Sequence, residues 1–115
     1  MGAGQQTIPG VALPAKNPTL AELQAYVKAI TSERGFDKNT VAQRFMLLVE
    51  EVGELARAAR KTAGLRLADD THTAEVADEA ADVLILLLGI CNMLDVDLGQ
   101  AFFAKENHNR KRTWK

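Results

Sequence analysis

Apolar residues recur at intervals of three and four along much of the chain, and this spacing predicts amphipathic α-helices. The first helix is expected to begin after Thr19, because Thr19 and Glu22 have the spacing of a capping box. It is expected to run to about Arg34, with Gly35 ending it. Such a helix is stable only when other helices cover its apolar face.

Three more helices follow in the same pattern. The second is predicted over residues 40–61 and ended by Gly64, and the polar stretch GLRLADDTHT is expected to be a loop. The third is predicted over residues 73–94, and the fourth is predicted to open at Asp97 and to end in a basic tail. Four helices with short connections predict an all-α four-helix bundle.

Composition changes this picture only at the N-terminus. Residues 1–18 contain all three prolines and three of the eight glycines, which predicts a flexible arm ahead of one domain over residues 19–115. The 115 residues are 47% apolar but only 5% aromatic, and this favours packed helices over disorder or a β-sandwich.

Charge and cysteine usage narrow the class of protein. The net charge is −1, so the overall balance gives no reason to expect a nucleic-acid partner. The longest apolar run, residues 83–91, is about half the length that spans a bilayer, so no membrane segment is expected. The single cysteine, Cys91, ends this run and is expected to be a buried thiol in a reducing, cytoplasmic setting.

Carboxylates lie beside the apolar stripes of the second and third helices. Glu54 is about 60° from Glu51 around the helix, and Glu50 is about 100° away on the other side. In the third helix, Asp82 follows Glu79 by three residues. Each pair alone is common on solvated helices, but four acids facing an interior would repel one another and lose hydration. We expect no lysine or arginine close by on those stripes, and such a cluster suits Mg²⁺ or Mn²⁺.

These motifs match a known family. EEVGE at residues 50–54, followed after 24 residues by EAAD at residues 79–82, resembles the EExxE…ExxD signature of MazG-like nucleotide pyrophosphohydrolases. The resemblance implies an all-α oligomer, a homodimer or homotetramer, that hydrolyses a nucleoside triphosphate to a monophosphate and pyrophosphate. It implies that the Mg²⁺ ligands are Glu51, Glu54, Glu79 and Asp82. Glu50 would reach a second metal or orient the attacking water.

The basic C-terminal segment supplies candidates for binding the substrate. Lys105 and Asn109 are one helical turn apart, and the resemblance implies that they contact the triphosphate. Arg112, seven residues after Lys105, is a further candidate. The structural alternative is a solvated helix end whose cations complement the helix dipole.

Base recognition has weaker candidates. Phe36 could stack on the base, or it could cap the first helical hairpin. Gln43 and Arg44 could reach the base or sugar, or they could be solvated or lie at a subunit interface. The sequence thus predicts a Mg²⁺-dependent nucleotide pyrophosphohydrolase that removes surplus or modified nucleotides. The alternatives are a phosphoribosyl-ATP pyrophosphohydrolase or dUTPase-like relative, or a non-catalytic helical module that binds a structural cation or a basic partner.

Overall fold

The computed structural model of the chain describes residues 11–65 and 70–112. These residues form four α-helices and one short 3-10 helix, which are α1 (Leu20–Glu33), the 3-10 helix (Phe36–Lys38), α2 (Val41–Leu65), α3 (Asp70–Met93) and α4 (Leu98–Asn109). The same residues contain no β-strand, so the predicted all-α class is confirmed. None of their helices has the length and apolarity needed to cross a bilayer. Residues 1–10 lie outside the described ranges, and the N-terminal arm stays a prediction.

Helix α1 begins and ends where its local sequence predicts. The Glu22 backbone N–H donates to Thr19 Oγ1 at 3.1 Å, and the Thr19 backbone N–H donates to Glu22 Oε1 at 2.7 Å. Hydrogen bonding of the Glu22 carboxylate, first to the Thr19 backbone N–H and then to the Thr19 side chain, holds the pKa of Glu22 below its usual value. At the other end, Gly35 takes a φ of 79°, a left-handed conformation that glycine adopts without steric cost.

Helices α2 and α3 are longer than predicted. A second capping box opens α2, because Gln43 N donates to Thr40 Oγ1 at 3.1 Å and Thr40 N donates to Gln43 Oε1 at 2.8 Å. The helix then continues through Gly64 to Leu65, so the prediction that Gly64 ends it is wrong. A glycine inside a helix costs only about 1 kcal/mol relative to alanine, which a 25-residue helix tolerates. Helix α3 starts at Asp70, so the predicted loop over residues 64–73 is wrong at both of its ends.

A tight turn joins α3 to α4. Asp95 has a φ of 57°, while Val96 N donates to Cys91 O at 2.9 Å and Asp95 N donates to Asn92 O at 3.4 Å. This pair of bonds around a left-handed residue is a Schellman motif, which satisfies the last carbonyls of α3. Asp97 then caps α4 by accepting from Gln100 N at 3.0 Å, as the sequence predicts.

The described residues form two compact units. One contains residues 11–38 and 91–112, with α1, the 3-10 helix and α4, and the other contains residues 39–65 and 70–90, with α2 and most of α3. The buried apolar side chains are Val27, Ile30 and Cys91 in the first unit and Ala58, Leu88 and Ile90 in the second. Burial raises the pKa of the Cys91 thiol, which fits the predicted buried cysteine.

Candidate active site

The inner stripe of α2 carries charge as well as apolar side chains. Glu51 is half-buried and shares this stripe with half-buried Leu48 and Leu55 and with buried Ala58. Glu54, one turn further, is exposed, and so is Glu50. The apolar neighbours therefore hold one side of α2 against the unit's interior and carry the Glu51 carboxylate to its edge.

Helix α3 brings its two acids to the same place. Glu79 is half-buried and Asp82 is exposed. One carboxylate oxygen from each of Glu51, Glu79 and Asp82 lies within 4.8 Å of the other two. We call these three residues the acid triad. Three of the four predicted ligands thus converge, while Glu54 lies outside this distance but close enough for its charge to act on Glu79.

The acid triad is electrostatically strained without a cation. The pKa of Glu79 is raised, first by a hydrogen bond shared with Glu51, then by partial burial, and then by the negative charges of Glu51, Asp82 and Glu54. When both carboxylates are ionised, neither can donate a hydrogen bond to the other. Glu79 Oε1 is buried and has no hydrogen-bond partner among the described residues. The pair therefore needs either a shared proton or a positive ion.

A divalent cation fits this donor set. All the offered atoms are carboxylate oxygens, which are the ligands that Mg²⁺ and Mn²⁺ prefer. The unpartnered Glu79 Oε1 would gain an interaction, and the repulsion among the three charges would be offset. Exposure of Asp82 leaves the site open on one side, so a ligand can approach.

The structure buries one charged residue of α2 whose position the sequence left open. Arg44 is only 4% exposed and is the buried charged residue of the described ranges. It lies seven residues before Glu51, which places it about 20° from Glu51 around α2 and two turns away along the axis. Arg44 therefore shares the inner stripe of α2, and its burial shows that the solvated alternative predicted for it is wrong. The seven-residue spacing was the available signal, but hydropathy alone assigns an arginine to the solvent.

Gln43 has a local structural role. Its side-chain oxygen and backbone N–H form the capping box with Thr40, which starts α2. The capping box engages the Gln43 amide oxygen and gives this residue a role at the start of the helix that needs no base or sugar.

The predicted substrate-binding residues lie in the other unit. Lys105 is exposed and Asn109 is half-buried, and both line a surface concavity of about 330 Å³ on one face of α4. The Asn109 amide also donates to Glu106 Oε1 at 3.4 Å. Arg112 lies beyond the end of α4, where its N–H donates to Asn109 O, so helical spacing does not place its side chain. Phe36 lies in the 3-10 helix and is 52% exposed.

Comparison with known proteins identifies the family. Residues 20–109 match the family described as phosphoribosyl-ATP pyrophosphohydrolase. The chain is 36% identical over 99 residues to a dATP/dGTP diphosphohydrolase from cyanophage S-2L, covering 84% of this chain and 78% of that protein. It is 30% identical over 100 residues to dCTP pyrophosphatase 1 from Bos taurus, covering 83% of this chain and 59% of the bovine protein. The resemblance predicted from the acid motifs is confirmed, and the chain belongs to the phosphoribosyl-ATP pyrophosphohydrolase family of MazG-like, all-α nucleotide pyrophosphohydrolases.

Proposed function

We propose that this protein is a Mg²⁺-dependent pyrophosphohydrolase that converts deoxynucleoside triphosphates to monophosphates and pyrophosphate. The observation that carries the proposal is the acid triad, whose three carboxylates converge from two helices within 4.8 Å. A non-catalytic helical module has no need for three mutually repelling acids at one point. Membership in a pyrophosphohydrolase family supplies the reaction type.

The residues have distinct proposed roles. The ligands for Mg²⁺, or for Mn²⁺ in its place, are Glu51, Glu79 and Asp82, with Glu54 as a fourth. When bound, the metal neutralises charge on the polyphosphate and favours formation of hydroxide from water. Glu50, exposed on α2 beside Glu51, accepts the proton of the attacking water. Water adds to the α-phosphorus, and the bond from that phosphorus to the bridging oxygen breaks.

The α4 residues are proposed to bind the phosphates. Lys105 offers a flexible cation and Asn109 an amide, and both line one concave face of the helix. Arg112 follows the helix end and adds a second cation. Phe36, half-exposed in the 3-10 helix, is proposed to stack on the base.

The preferred nucleotide is proposed from the relatives. One acts on dATP and dGTP by its name and another on dCTP, so purine and pyrimidine deoxynucleotides are both candidates. Phosphoribosyl-ATP is a second candidate substrate, because the matching family is named for it. A cytoplasmic setting, where nucleotides are made and used, remains our prediction.

A homodimer or homotetramer is proposed from exposed apolar surface. On the outer side of α2, Met46 is 70% exposed and Val49 is 67% exposed. Gly53 continues this stripe, and no atom lies within 4 Å of the position a Cβ would take there. On α4, Phe102 and Phe103 are 65% and 78% exposed. Apolar side chains at such spacing are normally covered in an assembly, and a second copy of the chain is the proposed cover.

The test is a substrate screen with the purified protein. Each canonical deoxynucleoside and nucleoside triphosphate, a set of modified triphosphates and phosphoribosyl-ATP are incubated with Mg²⁺, and pyrophosphate release is measured. The expected result is release from at least one deoxynucleotide, with the monophosphate as the other product and no activity in a chelator. Folded protein that releases pyrophosphate from none of these compounds would refute the proposal. Pyrophosphate release from phosphoribosyl-ATP alone would show that this compound, and not a deoxynucleoside triphosphate, is the substrate.

A further inference from the structure

The side-chain amide of Gln24 connects α1 to the start of α4. Gln24 Nε2 donates to Val96 O at 2.6 Å, and Gln24 Oε1 accepts from Leu98 N at 3.2 Å. In return, Asn92 Nδ2 donates to the backbone oxygen of Gln24 at 3.0 Å. Three hydrogen bonds thus join one residue of α1 to the last turn of α3, to the turn that follows it and to the first residue of α4. We call this set the Gln24 clamp.

The Gln24 clamp acts on a turn that is already well defined. The Schellman motif around Asp95 ends at Val96, and Asp97 caps α4. Leu98 is the first residue of α4, so its N–H has no partner within the helix. Gln24 supplies the missing acceptor and also binds the carbonyl two residues earlier. The two bonds fix both the position and the direction in which the chain enters α4.

The direction of α4 decides where its functional side chains lie. Leu98, Lys105 and Asn109 line the same concavity. Lys105 lies seven residues after Leu98, and Asn109 lies eleven residues after it. Asn109 is about 16 Å along the axis from Leu98, so a tilt of about 5° at Leu98 moves Asn109 by about 1.4 Å. A displacement of this size lengthens and misaligns the polar contacts that these side chains make with the triphosphate, and such contacts weaken steeply with distance and angle.

We propose that Gln24 is a positioning residue that sets the phosphate-binding face of α4 through its clamp on Val96 and Leu98. The inference rests on the proposed function, because it gives Lys105 and Asn109 their role as phosphate ligands. Gln24 itself lies on α1 and needs no contact with the nucleotide. Loss of the clamp is therefore expected to weaken binding of the triphosphate and to leave the acid triad unchanged.

The test compares Gln24→Met, which keeps the side-chain length and removes both hydrogen bonds, with wild type. Pyrophosphate release is measured over a range of dATP, dGTP and dCTP concentrations with saturating Mg²⁺. KM is expected to rise on the order of tenfold with kcat changed less than about twofold, because uniform binding is lost. Hydrogen exchange at the Leu98 amide is expected to speed up. The matched control is Thr31→Val, which removes the bond from Thr31 Oγ1 to Val27 O on the same helix and should leave KM unchanged.

A double-mutant cycle distinguishes positioning from general destabilisation. If Gln24 acts through Lys105, Gln24→Met should raise KM little further in a Lys105→Ala background. Equal effects in both backgrounds, an unchanged KM, or a fall in kcat alone would overturn the inference. Gln24→Glu, which keeps the acceptor for Leu98 and loses the donor to Val96, gives the same comparison if the methionine variant does not fold. If wild type releases no pyrophosphate from any nucleotide, the proposed function fails and the inference fails with it. If wild type is active but Gln24→Met leaves KM unchanged, only the inference is refuted.

Discussion

Glu51→Gln tests the acid triad most directly, because it removes one charge and keeps the side-chain shape. At 4.8 Å, the upper limit of the separation between the offered oxygens of Glu51 and Asp82, two negative charges repel by about 1 kcal/mol in water-like surroundings and by about 3.5 kcal/mol at an effective dielectric of 20. Asp82 is exposed, so the lower figure applies. Without metal, the variant is expected to be more stable than wild type by up to about 1 kcal/mol, or about 4 °C in Tm.

With metal, the order of stability is expected to reverse. Residues that merely orient a metal ligand are worth about 10- to 100-fold in affinity, so loss of the Glu51 carboxylate should cost at least about 100-fold. At a Mg²⁺ concentration of about 100 times the wild-type Kd, binding stabilises wild type by about 2.7 kcal/mol. A 100-fold weaker site gains only about 0.4 kcal/mol at the same concentration.

Thermal unfolding in a Mg²⁺ titration, run beside a pyrophosphate-release assay, measures both effects. The variant should have the higher Tm in chelator, the smaller rise in Tm with Mg²⁺, and no measurable turnover. The matched control is Asp78→Asn, which removes a charge from an exposed position next to Glu79 outside the triad. A Glu51→Gln protein with the wild-type Mg²⁺ response and wild-type turnover would show that the triad does not hold the metal.

Glu79, Lys105 and Val49 can each be tested by substitution. Because the pKa of Glu79 is raised, the folded state without metal holds more protons than the unfolded state above the usual glutamate pKa of 4.5, so stability should fall as pH rises from there through the raised pKa. Unfolding midpoints in chelator should show this slope, and a Glu79→Gln protein that keeps it would contradict the assignment. Lys105→Met should lower kcat/KM about 10- to 100-fold by loss of a charged phosphate contact, whereas Lys111→Met should not, and equal losses in the kinetic assay would argue against a specific role. Val49→Asp should reduce the oligomer mass in light scattering, and an unchanged mass would exclude that face of α2 as the interface.

The sequence alone determined the helices and their chemistry where local interactions dominate. Thr19 with Glu22 and Asp97 with Gln100 form caps within three residues, so local pattern is sufficient to locate the starts of α1 and α4. The i, i+3 spacing of the acids, set against the apolar stripe, likewise pointed to a convergent cluster and to the family. The end of α2 and the start of α3 could not be placed this way. A glycine destabilises a long helix by only about 1 kcal/mol, and the sequence pattern does not show which packing contacts offset that loss.

The tertiary structure decided how distant residues meet. It brought Glu79 and Asp82 to Glu51 and left Glu54 outside the closest group, because helix packing sets the separation of side chains that spacing only assigns to a face. Burial of Arg44 depends on the neighbours of α2 and not on its own polarity. The Gln24 clamp joins residues more than 70 positions apart, and a glutamine on an amphipathic helix gives no sign of such a partner. Local interactions thus determined the elements and the kind of chemistry, whereas long-range packing determined which groups share a site.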